Sequence, residues 1–262
     1  MKKIALLALI TVILTFTSCD NFFSNSWGKQ RSYDSKNIDV NADNVDEWIE
    51  AAKGNPELAD AVTEAIINEL EKMGNTDNPE AAKLFEGGVN LAVESSGLGE
   101  SILTEGAKLL GDIDDFDEDT FTDLLGKIQD DFNSGGGPGA AEKIGKLVDT
   151  VVEDKDGAPK FNDTYTEMAE PGDIVETILV LIMGELYDMG ISIDDIDSWS
   201  SLEEIADGRL MLEVGPPPEI QVGPEASLTD VALAAYLNLI AENHDKYDNP
   251  MIYTIWEGFF NK

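Results

Sequence analysis

The chain has 262 residues, of which 53 are Asp or Glu and only 17 are Lys or Arg, giving a net charge of −36 at pH 7. Such a field repels phosphate backbones and anionic headgroups, so it argues against nucleic-acid binding and adhesion through a basic patch, and leaves cations and basic partners open. With 42% hydrophobic residues the sequence is too apolar for wholesale disorder and holds enough for a sizeable core, while its one cysteine, Cys19, excludes a disulfide within the chain.

Residues 1–18 read as a secretion signal. Lys2 and Lys3 form a positive n-region, Ile4 to Phe16 an apolar stretch too short to span a bilayer comfortably, and Thr17 and Ser18 place small residues before Cys19. This layout resembles bacterial lipoproteins, with a relaxed, spirochaete-like lipobox in which Phe16 occupies a position commonly held by Leu. The resemblance implies lipidation of the Cys19 thiol, removal of the signal peptide, acylation of the new amino terminus and a membrane anchor. It also implies an exported protein of the cell envelope, on the periplasmic face of the inner membrane or on the outer membrane. In enterobacterial lipoproteins an Asp after the cysteine, as at Asp20, goes with inner-membrane retention, a rule that spirochaete-like lipoproteins need not follow.

Residues 19–42 are polar and aperiodic, as expected of a flexible tether, and Phe22, Phe23 and Trp27 are the apolar exceptions within it. Residues 43–262 then form an α-helical domain. Val45, Trp48, Ile49 and Ala52 recur at helical spacing ahead of Gly54. Asn55-Pro56 restarts a helix, since Asn is a good N-cap and Pro is tolerated in the first helical turn; the pair recurs at Asn78-Pro79 and Asn249-Pro250. The stripes that follow the first two, Leu58 to Met73 and Leu84 to Ala92, predict a helical hairpin. This segment, from Asn55 to about Gly97, resembles the tetratricopeptide-like T-component lipoproteins of TRAP transporters over about a sixth of the chain. Its Asn-Pro starts lie 23 residues apart, against a tetratricopeptide period of about 34, and no functional residue carries over.

Further stripes cover Ile102 to Leu110, Phe121 to Phe132 and Ile144 to Val152, and the Gly-rich run Asn133 to Gly139 between the last two is the best place for a subdivision. The glycines from Gly87 to Gly106 weaken helices there unless helices pack closely on them. Pro171 opens a helix whose middle, Ile178 to Met183, is apolar on every side and therefore central. A helix from about Ser200 to Met211 follows from two capping-box spacings, and the Pro-rich residues 213–226 read as an extended crossing with at most a short strand at each end. Ser227 and Asp230 cap a helix through Ile240, and an apolar helix after Pro250 closes the chain. The fold class is all-α, an irregular bundle or helical-hairpin array of roughly eight to ten helices.

Candidate chemistry is sparse. Ile113 to Asp117 and Ile193 to Asp197 echo each other at an offset of 80 residues and raise the question of calcium. Asp115, Asp117 and Asp119 match the first three carboxylates of an EF-hand loop, but Thr120 stands where its glycine belongs and Gly126 where its bidentate Glu belongs. Acids ahead of a helix also favour its positive end, which explains both clusters without metal. His244, the sole histidine, falls just past a predicted helix, where a cation is favourable. Trp48 and Trp256 fall on apolar faces, and Trp199 at a predicted helix start is the one of the three expected to be exposed.

No phosphate-binding loop, nucleophile elbow or metalloprotease motif is present, so no catalytic residue, metal ligand or cofactor is assigned. The expectation is a non-enzymatic, lipid-anchored interaction or scaffold module with a protein partner, basic if the acidic surface steers it. The alternative is a solute-binding or transporter-accessory lipoprotein with an internal pocket for a small molecule.

Overall fold

The structure, a computed structural model, describes residues 35–96, 129–130, 132–133, 136–153, 157–190, 209–213, 218–247 and 252. Helix dominates. The α-helices are α1 (Val45–Ala52), α2 (Pro56–Met73), α3 (Pro79–Ser95), α4 (Gly137–Val151), α5 (Asp163–Met168), α6 (Pro171–Met189) and α7 (Leu228–Asn243). The strands are β1 (Val152–Glu153), β2 (Lys160–Phe161), β3 (Leu210–Glu213) and β4 (Glu219–Val222), paired antiparallel as β1 with β2 and β3 with β4.

The two described Asn-Pro starts behave as their chemistry demands. The Asn55 side chain accepts from the Leu58 amide at 3.2 Å, Asn78 accepts from Glu80 and Ala81 at 3.1 and 3.0 Å, and each following proline enters the first turn without wasting an N–H. Gly74, at φ +67°, ends α2 in the left-handed conformation that costs glycine least. The α2–α3 hairpin closes on its apolar faces, with Val62, Ile66, Leu84, Phe85 and Leu91 buried. Ahead of α1, Val40 is already buried in the same core and Ile38 packs on it.

α4 is the hub and packs against α2, α3, α6 and α7. A Cβ on Gly88 would fall 2.9 Å from a Leu147 methyl and 3.1 Å from an Ile66 methyl, so this glycine lets α2 and α4 pack closely on α3, which runs unbroken through it. Through α6 the expected all-apolar middle is central: Ile178, Val180, Leu181 and Met183 are buried, with Leu179 and Ile182 packed against the core. α7 is more enclosed still, with every residue from Thr229 to Ala241 buried against α4, α6 and the small sheets. Its capping box forms as read, Ser227 Oγ accepting from the Asp230 amide at 3.0 Å and Asp230 Oδ2 accepting from the Ser227 amide at 2.8 Å.

The structure departs from the sequence reading in four places. Seven α-helices are formed by the described residues, against the roughly eight to ten expected; the helices expected at residues 102–110 and most of those at 121–132, 200–211 and beyond 250 lie outside the described residues. The Gly-rich run is not loop to its end, because α4 starts at Gly137 after Gly136 turns at φ +97°. Val152, taken as the last residue of a helical stripe, instead pairs with Phe161 in β1. Leu210 and Met211, expected to end a helix, lie in β3, and the Pro-rich stretch expected as a crossing supplies β4 from its interior. Pairing is the reason: Leu210, Met211, Leu212 and Glu213 stand opposite Val222, Gln221, Ile220 and Glu219, so hydrogen bonds that a helix would have made locally are made across the hairpin.

The outer edge of β4 is closed by side chain and loop instead of another strand. Asn238 on α7 accepts from the Ile220 amide at 2.6 Å and donates to the carbonyls of Ile220 at 2.9 Å and Pro159 at 3.0 Å, while the Val222 amide donates to Gly157 at 2.9 Å. One buried amide therefore joins both hairpins to the central helix.

Candidate functional site

Two surface features are built by these helices. The first is an open cleft of about 410 Å³ between the end of α2, the outer side of α4 and the start of α7, lined by Leu70, Glu71, Gly74, Thr76, Lys146, Asp149, Thr150 and Leu228. Thr76 Oγ1 donates to the Thr150 carbonyl at 2.9 Å across it. Lys146 is held by Glu142 at 2.7 Å, and that hydrogen bond, with the nearby charges of Glu64 and Glu71, raises its pKa. A lining divided about evenly between polar and apolar surface, with its one lysine already paired, is a poor match to the largely apolar walls typical of small-molecule sites.

The second is an acidic edge where α1, α3 and the start of α6 meet. Burial pushes the Glu86 carboxyl up, and repulsion from Asp173, Glu170 and Asp46 pushes the same way, while Lys83 opposes it. Asp173 is raised by burial and by Glu170, against a hydrogen bond with Asn90, and Glu176 by burial and by Asp173. Lys83 reaches Asp46 at 2.8 Å and so leaves this edge only partly neutralised. Farther along α3, Glu94 is also raised by burial although it accepts from the Gly54 amide at 2.9 Å. Among the described residues no group of three or more His, Cys, Asp or Glu could hold a metal ion.

Beneath the acidic edge lies an aromatic cluster of Phe85, Phe161, Tyr165 and Tyr236, with Phe85 and Tyr165 edge to face at 4.6 Å between ring centroids. The Tyr165 and Tyr236 hydroxyls are 3.1 Å apart and fully enclosed, and burial raises both phenols well above their ordinary value. These hydroxyls satisfy each other inside the core, an arrangement that secures packing.

The residues singled out from sequence are distributed unevenly. Cys19, the acidic residues Asp115, Asp117 and Asp119, the Ile113 and Ile193 echoes, Trp199 and Trp256 lie outside the described residues. His244 caps the end of α7, its Nδ1 3.4 Å from the Ala241 carbonyl and its Nε2 3.3 Å from Asp245, the helix-terminal place expected of it. Trp48 is partly buried, and its indole N–H donates to the Asp39 carbonyl at 3.2 Å. Sequence reasoning passed over Glu86, Asp173 and Glu176; the available signal was the interruption of apolar helix faces by single acids.

No helix among the described residues is long and apolar enough to cross a membrane. No protein-family model matches this chain, and searches of curated proteins and of solved structures find no match either.

Proposed function

We propose that this chain is a non-enzymatic, lipid-anchored protein of a bacterial cell envelope that presents an acidic helical surface to a basic protein partner. The observation that carries the reading is the imbalance of surface charge. Lys53, Lys72, Lys83, Lys143, Lys146 and Lys160 are each engaged by a carboxylate of the same chain, while Glu47, Glu57, Glu71 and Glu80 add further exposed acids on the α1–α3 side. Carboxylates raised by burial and by acids beside them, as Glu86 is by Asp173 and Asp173 by Glu170, gain when a lysine or arginine docks between them, so the α1–α3–α6 edge is the favoured contact. Cys19 supplies the anchor, and attachment by several acyl chains holds a protein stably where a single chain binds only marginally.

A second reading, a solute-binding or transporter-accessory lipoprotein, takes its support from the cleft at Lys146, whose volume of about 410 Å³ would fit a small molecule. One experiment separates the two. The anchored protein is extracted from envelopes and examined by native mass spectrometry at low and at high salt. Recovery of a protein partner that is lost as salt rises supports the first reading, because attraction between exposed charges is screened beyond about 8 Å at physiological ionic strength. Recovery of a stoichiometric small molecule that survives high salt, with no protein partner, overturns it. The anchor is tested beside it: wild-type protein carries lipid mass and stays with membranes after a salt wash, whereas Cys19→Ala moves to the soluble fraction; a Cys19→Ala protein that stays with membranes, or a wild type without lipid, refutes the anchor.

A further inference from the structure

A buried charge cluster that shares no residue with either surface feature lies where the end of α6, the residue before β3 and the cap of α7 meet. Glu185 is 6% exposed and Asp230 is 1% exposed. Arg209 reaches both, with Nη2 2.9 Å from Glu185 Oε2 and Nη1 3.4 Å from Asp230 Oδ2. Ser227 completes the ring: its hydroxyl donates to Glu185 Oε1 at 3.4 Å and accepts from the Asp230 amide. Two carboxylates face one guanidinium, so with both acids ionised the cluster holds one uncompensated negative charge away from water, a costly state. Glu185 Oε2 is enclosed and, beyond its ion-pair contact, has no hydrogen bond. A proton on one carboxyl removes the excess charge and supplies a donor between two acids that stand within hydrogen-bonding reach of each other.

We propose that Glu185 and Asp230 share a proton-binding site, organised by Arg209, that latches the β3–β4 hairpin onto α6 and α7 when protonated and loosens it when the proton leaves. The connection to the hairpin is direct: the Arg209 carbonyl accepts from the Gly223 amide at 2.7 Å, closing the base of the β3–β4 pair. Among the described residues, the groups facing Glu185 are Asp230 and Ser227 from α7, Arg209 from the hairpin and Asp188 from its own helix, while α4 brings the Ala141 methyl against neighbouring Gly184. Burial pushes the Glu185 carboxyl up to about 7, the Asp230 charge adds to this, Arg209 opposes it and Asp188 adds a smaller push.

A carboxyl whose folded pKa is raised binds its proton more tightly in the closed state. Latch stability is therefore greatest at acid pH and is lost as pH rises from the ordinary glutamate range through about 7. For a single group moving from about 4.5 to about 7, the opening constant rises about tenfold between about pH 6 and about pH 8. The test is amide hydrogen exchange at Gly223 in the full-length chain, expressed as protection after correction for intrinsic base catalysis. Wild-type protection should fall about tenfold over that interval, and Glu185→Gln, which mimics the protonated acid, should remove the fall. Wild-type protection constant within about twofold, or an equal fall in Glu185→Gln, overturns the proposal. Should that variant not fold, carbon-13 titration of the wild-type carboxyls decides: a cluster carboxyl titrating near neutrality supports the latch, and titration of all Glu and Asp carboxyls in the ordinary acid range overturns it.

Discussion

Replacement of Asn238 by Leu tests the claim that one buried amide ties both hairpins to α7. The side chain is 2% exposed and makes three hydrogen bonds, all to backbone: the Ile220 N–H, the Ile220 carbonyl and the Pro159 carbonyl. Leu has the same branched outline and the same number of heavy atoms with more bulk, so the change opens no cavity but strands three enclosed polar groups. At about 1–3 kcal/mol for each group left without a partner, the loss is on the order of 5 kcal/mol. Burial of the new methyl groups returns about 2 kcal/mol, for a net destabilisation of about 3 kcal/mol, a large share of the total stability of a typical domain. Urea unfolding of the wild type, Asn238→Leu and a control measures it directly. The control is Asn68→Leu, because Asn68 is exposed and its amide donates at 2.6 Å to the Glu64 carbonyl within the same helix; it should stay within about 0.5 kcal/mol of the wild type. A loss of less than about 1 kcal/mol for Asn238→Leu, or equal losses for the two variants, would refute the reasoning.

Two further outcomes follow from packing and from ligand geometry. A Cβ added at Gly145 would lie 2.9 Å from the Leu228 carbonyl carbon and 3.0 Å from its oxygen, backbone that cannot move without shifting the start of α7. Gly145→Ala should therefore cost about 1–3 kcal/mol in thermal or urea unfolding, whereas Gly139→Ala, with nothing within 4 Å of the new carbon, should be neutral or stabilising. Equal effects at the two positions would contradict the close approach of α4 and α7. In the Asp115 loop the missing glycine and terminal Glu predict that micromolar calcium raises the melting temperature no more than matched magnesium does. A calcium-specific rise abolished by Asp115→Asn with Asp117→Asn would show that loop to be a true site.

Much of the candidate chemistry was legible only in outline. The acidity of the chain and the mismatch of the Asp115 segment with an EF-hand pattern can be read from residue types and spacing alone. The raised carboxyls at Glu86 and Asp173 cannot, because both depend on burial, and Glu86 also on Asp173, Glu170 and Asp46 brought to it by other elements. Glu185 gave one local signal, an acid in the apolar run of α6. Its partners, Arg209 and Asp230, are 24 and 45 residues further along the chain.

The same division runs through the fold. Helix starts were decided within three or four residues, by the Asn55 and Asn78 side chains and by the Ser227–Asp230 box, because a cap satisfies amides that lie one turn away. The all-apolar middle of α6 announced its own central place for a similarly local reason, since a helix with no polar face has nowhere else to go. The tertiary structure alone decided that Leu210 and Met211 become strand, that Val152 leaves its helix, and that Asn238 serves as the edge of β4. In each case the partners of the backbone groups come from distant segments, so the preference of the local sequence is outweighed by hydrogen bonds that exist only once the helices have packed.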